Sequence, residues 1–340
     1  MKQNVNKQDS DNSVINSSVE LSSLSILIPV YNSEETIGSL VDKVISILKS
    51  HFKSLEIILV NDGSIDNSHS CALQAVNRYP GIVKYIRLAR NFGEHNAVMC
   101  GLNYITKDCV VIIDDDFQNP PSEIIRLVEK LREGYDVVYS YYSEKRHSWF
   151  RNVGSQFNDW VATKVLKKPK GLYLSSFKAL RAVLVRRVIQ SRGPYPYIDG
   201  SILRSTTKIG RLQCKHSERR AGRSHYTISK LLHLWLNMFT GFSIIPLRIA
   251  SYIGFFVSLS TIILVAFFIV SRLSGGVFIK QTIPAGWASL IVSITFFAGI
   301  QLCVLGLIGE YLGRLYLTVS RLPQFVVDDT YGIETLQEKN

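Results

Sequence analysis

Two stretches of this chain run without a charged residue for longer than the buried helices of soluble domains usually do: residues 249–271, 23 positions, and residues 281–309, 29 positions. A helix of about 20 apolar residues crosses the roughly 30 Å of bilayer hydrocarbon, so each run is long enough to span. A pair of buried core helices is the alternative, but helices of that kind keep a polar face at this length. The pattern predicts transmembrane helices over residues 249–270 and 287–308. The link at residues 272–286, with Gly275, Gly276 and Pro284, suits a hairpin loop.

The rest of the chain is of another kind. With 46% hydrophobic and 19% charged residues in 340, the whole is too apolar to be soluble throughout and too charged to be membrane throughout. Residues 1–23 are rich in Asn and Ser with no apolar core, which reads as a disordered tail rather than a signal peptide. Lys and Arg number 39 against 27 Asp and Glu, a net charge of +12. Such an excess fits nucleic acid, an anionic membrane surface or a phosphorylated substrate. No nucleic-acid module appears, which leaves the other two. Most of the basic residues precede the first uncharged run, so the N-terminal domain and a C-terminal tail at residues 310–340 are expected on the cytoplasmic side. The five cysteines contain no CxxC pair, which argues for a reducing compartment and against a disulfide framework or a zinc site.

Between the tail and the membrane lies a regular alternation. Short apolar runs at residues 25–30, 56–60, 83–88, 109–113 and 136–141 read as strands. Helical segments at 37–48, 68–78, 94–106 and 122–133 separate them; in the first, Ile37, Leu40, Val41, Val44, Ile45 and Leu48 fall at helical spacing. This predicts an α/β domain with a mainly parallel sheet covered on both faces. Ligands of such sheets bind beyond the carboxyl ends of the strands. The residues there include Tyr31-Asn32, Asn61-Asp62-Gly63-Ser64, Arg90-Asn91-Phe92-Gly93 and Asp114-Asp115-Asp116-Phe117-Gln118. No GxGxxG or GxxxxGK[ST] is present, which argues against a dinucleotide dehydrogenase and a P-loop NTPase.

Three adjacent carboxylates repel one another unless a cation neutralises them. Strand alternation puts Asp114 and Asp116 on one side, where they and the amide oxygen of Gln118 suit a hard divalent ion, Mg²⁺ or Mn²⁺. A polar turn capping the helix that begins at Pro120-Pro121 would use the same residues. Asp62 offers an acid for a base or ribose, or the side chain of an Asx turn, and Arg90 a cation for a phosphate.

The segments Ser25-Ile-Leu-Ile-Pro-Val-Tyr-Asn32, Val60-Asn-Asp-Gly-Ser64, Arg90-Asn-Phe-Gly93, Ile113-Asp-Asp-Asp-Phe-Gln-Asn-Pro-Pro121 and Arg219-Arg-Ala-Gly-Arg-Ser-His-Tyr226, followed by two spans and Gly309-Glu-Tyr-Leu-Gly-Arg314, resemble the polyprenyl-phosphate glycosyltransferases of glycosyltransferase family 2. The likeness is to the dolichyl-phosphate mannose synthase type, bacterial branch with two spans. It implies a GT-A (Rossmann-like) domain over residues 24–226, and a nucleotide-sugar donor held by Pro29, Tyr31, Asp62 and Asp114, with Arg90 and Glu34 beside them. It further implies a metal on Asp114, Asp116 and Gln118, with Asp116 catalytic, and an acceptor phosphate near Arg219, Ser224 and His225. The chain departs from the pattern at Ser33, where Glu is usual although Glu34 follows, and at His225, where Lys is usual. A Gly-Asp pair whose Asp serves as base is replaced by Ser175-Ser176 before Phe177, and Ser176 is expected in the catalytic site as a residue that shapes donor choice rather than taking a proton.

The implied reaction moves a sugar, with inversion, from a nucleotide sugar, a UDP-sugar by the bacterial likeness, to polyprenyl (undecaprenyl) phosphate for cell-envelope glycan modification. Residues 227–248 form a broad apolar face interrupted by Ser229, Lys230, His233 and Asn237, the pattern of an interfacial helix or of one packed on the preceding domain. Lys215, Arg219, Arg220, Arg223 and Lys230 lie just before the spans, at headgroup depth. The expected setting is therefore multi-pass in the inner (plasma) membrane, with a nucleotide sugar, polyprenyl phosphate and the lipid bilayer as partners and homo-oligomerisation open through the transmembrane helices. Two rivals are a catalytically inactive membrane scaffold, because Ser176 stands in the base position, and a processive polysaccharide synthase, against which no Gln-x-x-Arg-Trp motif is found.

Overall fold

The computed structural model describes residues 22–142, 168–169, 171–191, 196–215, 217, helical positions between 247 and 270, 286–320 and 323–333. The alternation appears as β1 (Ser23–Val30), α1 (Ile37–Leu48), β2 (Ser54–Asn61), α2 (Ser68–Arg78), β3 (Val83–Leu88), α3 (Glu94–Leu102), β4 (Cys109–Ile112), α4 (Glu123–Arg132) and β5 (Val137–Tyr141). It continues with β6 (Lys178–Arg181), α5 (Ala182–Val188), α6 (Ile198–Ser205), β7 (Ile209–Gln213), α7 (Gly286–Val319) and β8 (Val327–Tyr331). The residues expected for the N-terminal tail up to 21, the interfacial helix up to 246, the hairpin loop 271–285, and Arg219, Ser224 and His225 lie outside the described residues.

Eight strands form one sheet in the order β7-β5-β6-β4-β1-β2-β3-β8. The centre is parallel as expected, β4, β1, β2 and β3 running together, but the sheet as a whole is mixed. Strand β6 lies antiparallel between β4 and β5, and β8 lies antiparallel on β3. Parallel neighbours come from βαβ crossovers, and β6 and β8 stand outside that repeat.

Alternate strand residues feed two cores. Leu24, Ile26, Ile28 and Val30 of β1 join α1, α2 and α4 on one face, while Leu27 joins α3, α5 and α6 on the other. All six periodic apolar residues of α1 are buried. Helix α3 sits close on the sheet through Gly101, where a Cβ would come within 2.1 Å of the Leu27 side chain. Because β1 sends its crossover one way to β2 and β4 lies on its other side, the carboxyl ends of β1 and β4 enclose the crevice in which such sheets bind ligands.

One charged group is part of this scaffold. Glu56 of β2 is 1% exposed and accepts hydrogen bonds from Ser25 Oγ (2.6 Å), Thr106 N (2.7 Å), Thr106 Oγ1 (2.8 Å) and Lys84 Nζ (2.7 Å). Burial raises its pKa, but Lys84 and the other donors together hold it below the ordinary 4.5. A depressed folded pKa adds stability above the unfolded value, which is lost as pH falls through the folded one. The thermal stability difference between wild type and Glu56→Gln is therefore expected to be full above pH 4.5 and to shrink on acidification below it; a difference independent of pH would refute this.

Helix α7 is 34 residues long, about 50 Å of rise. Its stretch Phe296–Val319 is long and apolar enough to cross a membrane, and none of the apolar window is buried in the protein. Leu302, Leu305 and Leu312 stand more than half exposed, as do Phe255, Phe256 and Ile263 in the earlier run. The expected tail at 310–340 takes a different form. Helix α7 continues to Val319, and Val327–Tyr331 returns to the eight-stranded sheet as β8, held by Arg87 pairing with Asp328 and Asp329, each at 2.5 Å. A five-residue strand with two adjacent acids has little apolar signal of its own, and only its cross-strand partners make it a strand.

Candidate active site

The three adjacent aspartates divide three ways. Strand β4 ends at Ile112, and Phe117 has a left-handed φ of 62°. The strand alternation used to pair Asp114 with Asp116 has therefore ended before either residue. Asp114 Oδ2 accepts a hydrogen bond from Ser176 Oγ at 2.5 Å. Asp115 points back to β1, where it accepts from the Ser33 hydroxyl and from Tyr31 N at 3.4 Å. Asp116, 7% exposed, accepts from Gln118 N at 3.0 Å and so closes its own turn. Ser176, at the family's base position, is thus hydrogen-bonded to Asp114. Beneath it Ser175 joins Ser140 (2.9 Å), and Tyr142 donates to Asn119 Oδ1 (2.5 Å), a polar floor that fixes the loop.

Negative charge accumulates here. Asp115 is pushed up to about 6 by burial, against the Ser33 bond, with Asp114 adding to the rise. Glu94, at the first turn of α3, keeps part of its surface exposed while its carboxyl is desolvated in the crevice. It is pushed up to about 7 by desolvation first and Asp114 next, with Lys178 opposing. Among the described residues no three His, Cys, Asp or Glu converge as a cage for a metal. Mg²⁺ sites that use one or two carboxylates and complete their shell with substrate phosphates have this form. The hard oxygen donors of Asp114 and Asp116, close together in one loop, fit a divalent cation of that kind.

The neighbouring edge is a set of three interlocked loops. Asp62, 3% exposed, accepts from Phe92 N at 2.7 Å and Gly93 N at 2.9 Å, so its carboxylate ties the β3 loop to the β2 loop. Burial raises its pKa against these two bonds. Gly63 has φ +65°, and a Cβ there would lie 2.5 Å from Asn91 N, so only glycine fits the turn. Asn32 N donates to Ser64 Oγ (3.0 Å) and Ile65 N to Asn32 Oδ1 (3.0 Å), joining the β1 loop. Glu34 Oε2 accepts from Asn67 N at 2.8 Å, beside the start of α2. Tyr31 and Arg90 remain exposed, Arg90 with its guanidinium 4.7 Å from the Phe92 ring, and Pro29 lies half-buried in β1. The structure thus gathers Tyr31, Asp62, Arg90, Asp114, Asp116 and Ser176 along one sheet edge, while Glu34 serves the rim.

Sequence reasoning missed a buried group beside this edge. Lys178 of β6 pairs with Asp199 of α6, and Tyr139 OH donates to Asp199 Oδ1 at 2.9 Å. The Lys178 ammonium lies 5.2 Å from the Tyr139 ring centre. His95, its pKa lowered by burial, packs edge-on to Tyr197. No local signal joins the two, which stand 21 positions apart in different elements.

Comparison with known proteins places this geometry. Residues 25–189 match the family described as Glycosyl transferase family 2. The chain is 34% identical over 312 residues to an undecaprenyl-phosphate 4-deoxy-4-formamido-L-arabinose transferase of Serratia proteamaculans, covering 91% of this chain and 94% of that one. It is likewise 34% identical to the transferase of the same description from Proteus mirabilis, over 93% and 96% of the two chains. A solved structure of glucosyl-3-phosphoglycerate synthase from Mycobacterium tuberculosis, in complex with Mn²⁺, UDP and phosphoglyceric acid, superposes with a TM-score of 0.50. Its identity is 19%, and 64% of this chain and 76% of that one are covered, a likeness of fold.

Proposed function

As this chain belongs to glycosyl transferase family 2, we propose that it moves a sugar from a nucleotide-sugar donor, a UDP-sugar, to a polyprenyl phosphate at the membrane, with inversion. The observation that carries the reading is the near full-length match to undecaprenyl-phosphate sugar transferases, which extends over more than nine-tenths of both chains and so beyond the catalytic domain.

In the proposed reaction the bond from the anomeric carbon to the diphosphate breaks as a bond to a lipid-phosphate oxygen forms on the opposite face. Asp114 and Asp116, with the Gln118 amide, would hold a divalent cation that neutralises charge on the departing diphosphate. Ser176 keeps the Asp114 carboxylate in place through its 2.5 Å hydrogen bond. The three loops tied by Asp62 shape the nucleotide end of the crevice. A dedicated base is unnecessary, because a phosphate monoester has a second pKa near about 6 and presents a deprotonated oxygen at neutral pH. Replacement of the family's aspartate by Ser176 is consistent with activity for that reason.

Topology supports the same setting. Strands β3 and β8 share one sheet although α7 stands between them in the chain. If α7 crosses the bilayer, the segment between the catalytic domain and β8 must cross an even number of times. A second span over residues 249–270 supplies the other crossing, and the exposed apolar side chains there fit lipid contact. The catalytic domain and both chain ends then face the cytoplasm.

The test is a donor panel with purified full-length protein and undecaprenyl phosphate, scored by lipid-linked product. One sugar per lipid from a UDP-sugar is expected; no product from any nucleotide sugar would overturn the reading. On the acceptor side, Arg219→Ala is expected to raise the KM for lipid phosphate more than that for the sugar nucleotide, since a doubly charged headgroup needs a fixed cation. Equal effects on both substrates would remove Arg219 from the acceptor site.

A further inference from the structure

The strand that returns from the membrane helix touches the donor loops through a continuous path. Tyr331 of β8 stacks on Tyr85 of β3, ring centres 5.7 Å apart at 22°. Tyr85 is fully buried, and its hydroxyl accepts from Asn61 Nδ2 at 2.9 Å and meets His69 Nδ1 at 2.8 Å. With the Asn61 amide donating to it, the hydroxyl is free to donate in turn to a His69 protonated on Nε2. The other end of the Asn61 side chain, Oδ1, accepts from Ser64 N at 2.8 Å and closes the Asn61–Ser64 turn. That turn contains Asp62 and Gly63 and is the one that locks the β1 and β3 loops. A second contact reaches the β3 loop directly, Ala89 N donating to Val326 O at 2.9 Å.

We infer that Tyr331 and Tyr85 are positioning residues for donor binding, acting through Asn61: β8 holds Tyr85 so that its hydroxyl fixes the Asn61–Ser64 turn at the nucleotide end of the crevice. The inference rests on the proposed use of this edge for a nucleotide. It adds that the catalytic domain's donor site is completed by the segment arriving from α7, so that membrane anchorage and donor affinity are coupled. Without β8, β3 becomes an edge strand with unpaired backbone groups, and Tyr85 loses the ring that covers it. Neither tyrosine touches the reacting atoms; each acts on the geometry of a loop whose misplacement weakens binding.

The experiment measures binding of uridine diphosphate and of guanosine diphosphate, each with Mn²⁺, to the full-length protein in detergent by calorimetry, so that no turnover is required. Tyr331→Ala is expected to raise the Kd about fivefold, the scale of an aromatic pair, with Tyr331→Phe staying within about twofold. Tyr85→Phe keeps the ring stack and removes only the hydroxyl; a rise of about fivefold is expected there too, the scale of one hydrogen bond. Melting temperature is recorded for every variant. An unchanged Kd in Tyr85→Phe overturns the inference whatever happens to stability, as does a Tyr331→Phe that weakens binding as much as Tyr331→Ala. A wild type that binds neither nucleotide overturns the donor reading and this inference together, whereas a wild type that binds one of them with insensitive variants overturns this inference alone.

Discussion

Asp116→Asn is expected to lower turnover by about 10²-fold or more, the loss that follows removal of one preorganised electrostatic stabiliser. The substitution is chosen because it separates charge from structure. Asp116 is 7% exposed and its Oδ1 closes the turn by accepting from Gln118 N at 3.0 Å. An asparagine keeps that acceptor oxygen, so the loop and its left-handed Phe117 should persist. What disappears is one unit of negative charge beside Asp114, in a crevice where burial first and neighbouring aspartates next raise the carboxyls of Asp115 and Glu94. If a divalent cation is drawn by that charge, excess chelator should inhibit wild type comparably, and Mg²⁺ or Mn²⁺ should restore it. Normal membrane expression with full activity of the variant, or full activity of wild type in chelator, would remove the cation from the mechanism.

The residues at issue in that experiment were visible before any coordinates because they sit just past strands whose apolar runs are unmistakable. The bounds of α1, α2 and β3 follow from periodicity alone, since each buries one regular face. Local pattern stops being informative where a residue's role depends on a distant partner. Nothing near Ser176 indicates that its hydroxyl reaches Asp114, 62 positions away. Asp329 meets Arg87 across 242 positions, and β8 is a strand only because β3 offers an unpaired edge for it. The family resemblance implied a donor role for Asp62, and its carboxylate accepts from two backbone amides of the β3 loop. A preference for Asp after the second strand thus has a structural cause available as well as a binding one. The pair Lys178 and Asp199 was invisible for the same reason of distance, since each alone reads as a stray charge in a short apolar element.

That pair carries the largest stability effect expected in the catalytic domain. Lys178 is 4% and Asp199 7% exposed, and the two side chains are in direct contact. Removing one partner of a buried ion pair leaves the other charge desolvated without compensation, which costs about 3–5 kcal/mol. Lys178→Met fills a similar volume but leaves Asp199, among the described residues, with the Tyr139 hydroxyl at 2.9 Å as its side-chain donor. For a domain of this size that loss corresponds to a fall in melting temperature of roughly 10 °C. The double variant Lys178→Met/Asp199→Asn should recover most of it, because the amide oxygen still accepts from Tyr139 while no charge remains buried. Recovery would identify the cost as uncompensated charge, not lost packing, since both variants carry the same methionine. Lys178 also opposes the upward shift of Glu94, so the single variant should leave the crevice more negative and the double variant should largely restore its balance. A single variant as stable as wild type, or a double variant no better than the single, would show that this pair is not what secures α6 to the sheet beside the active site.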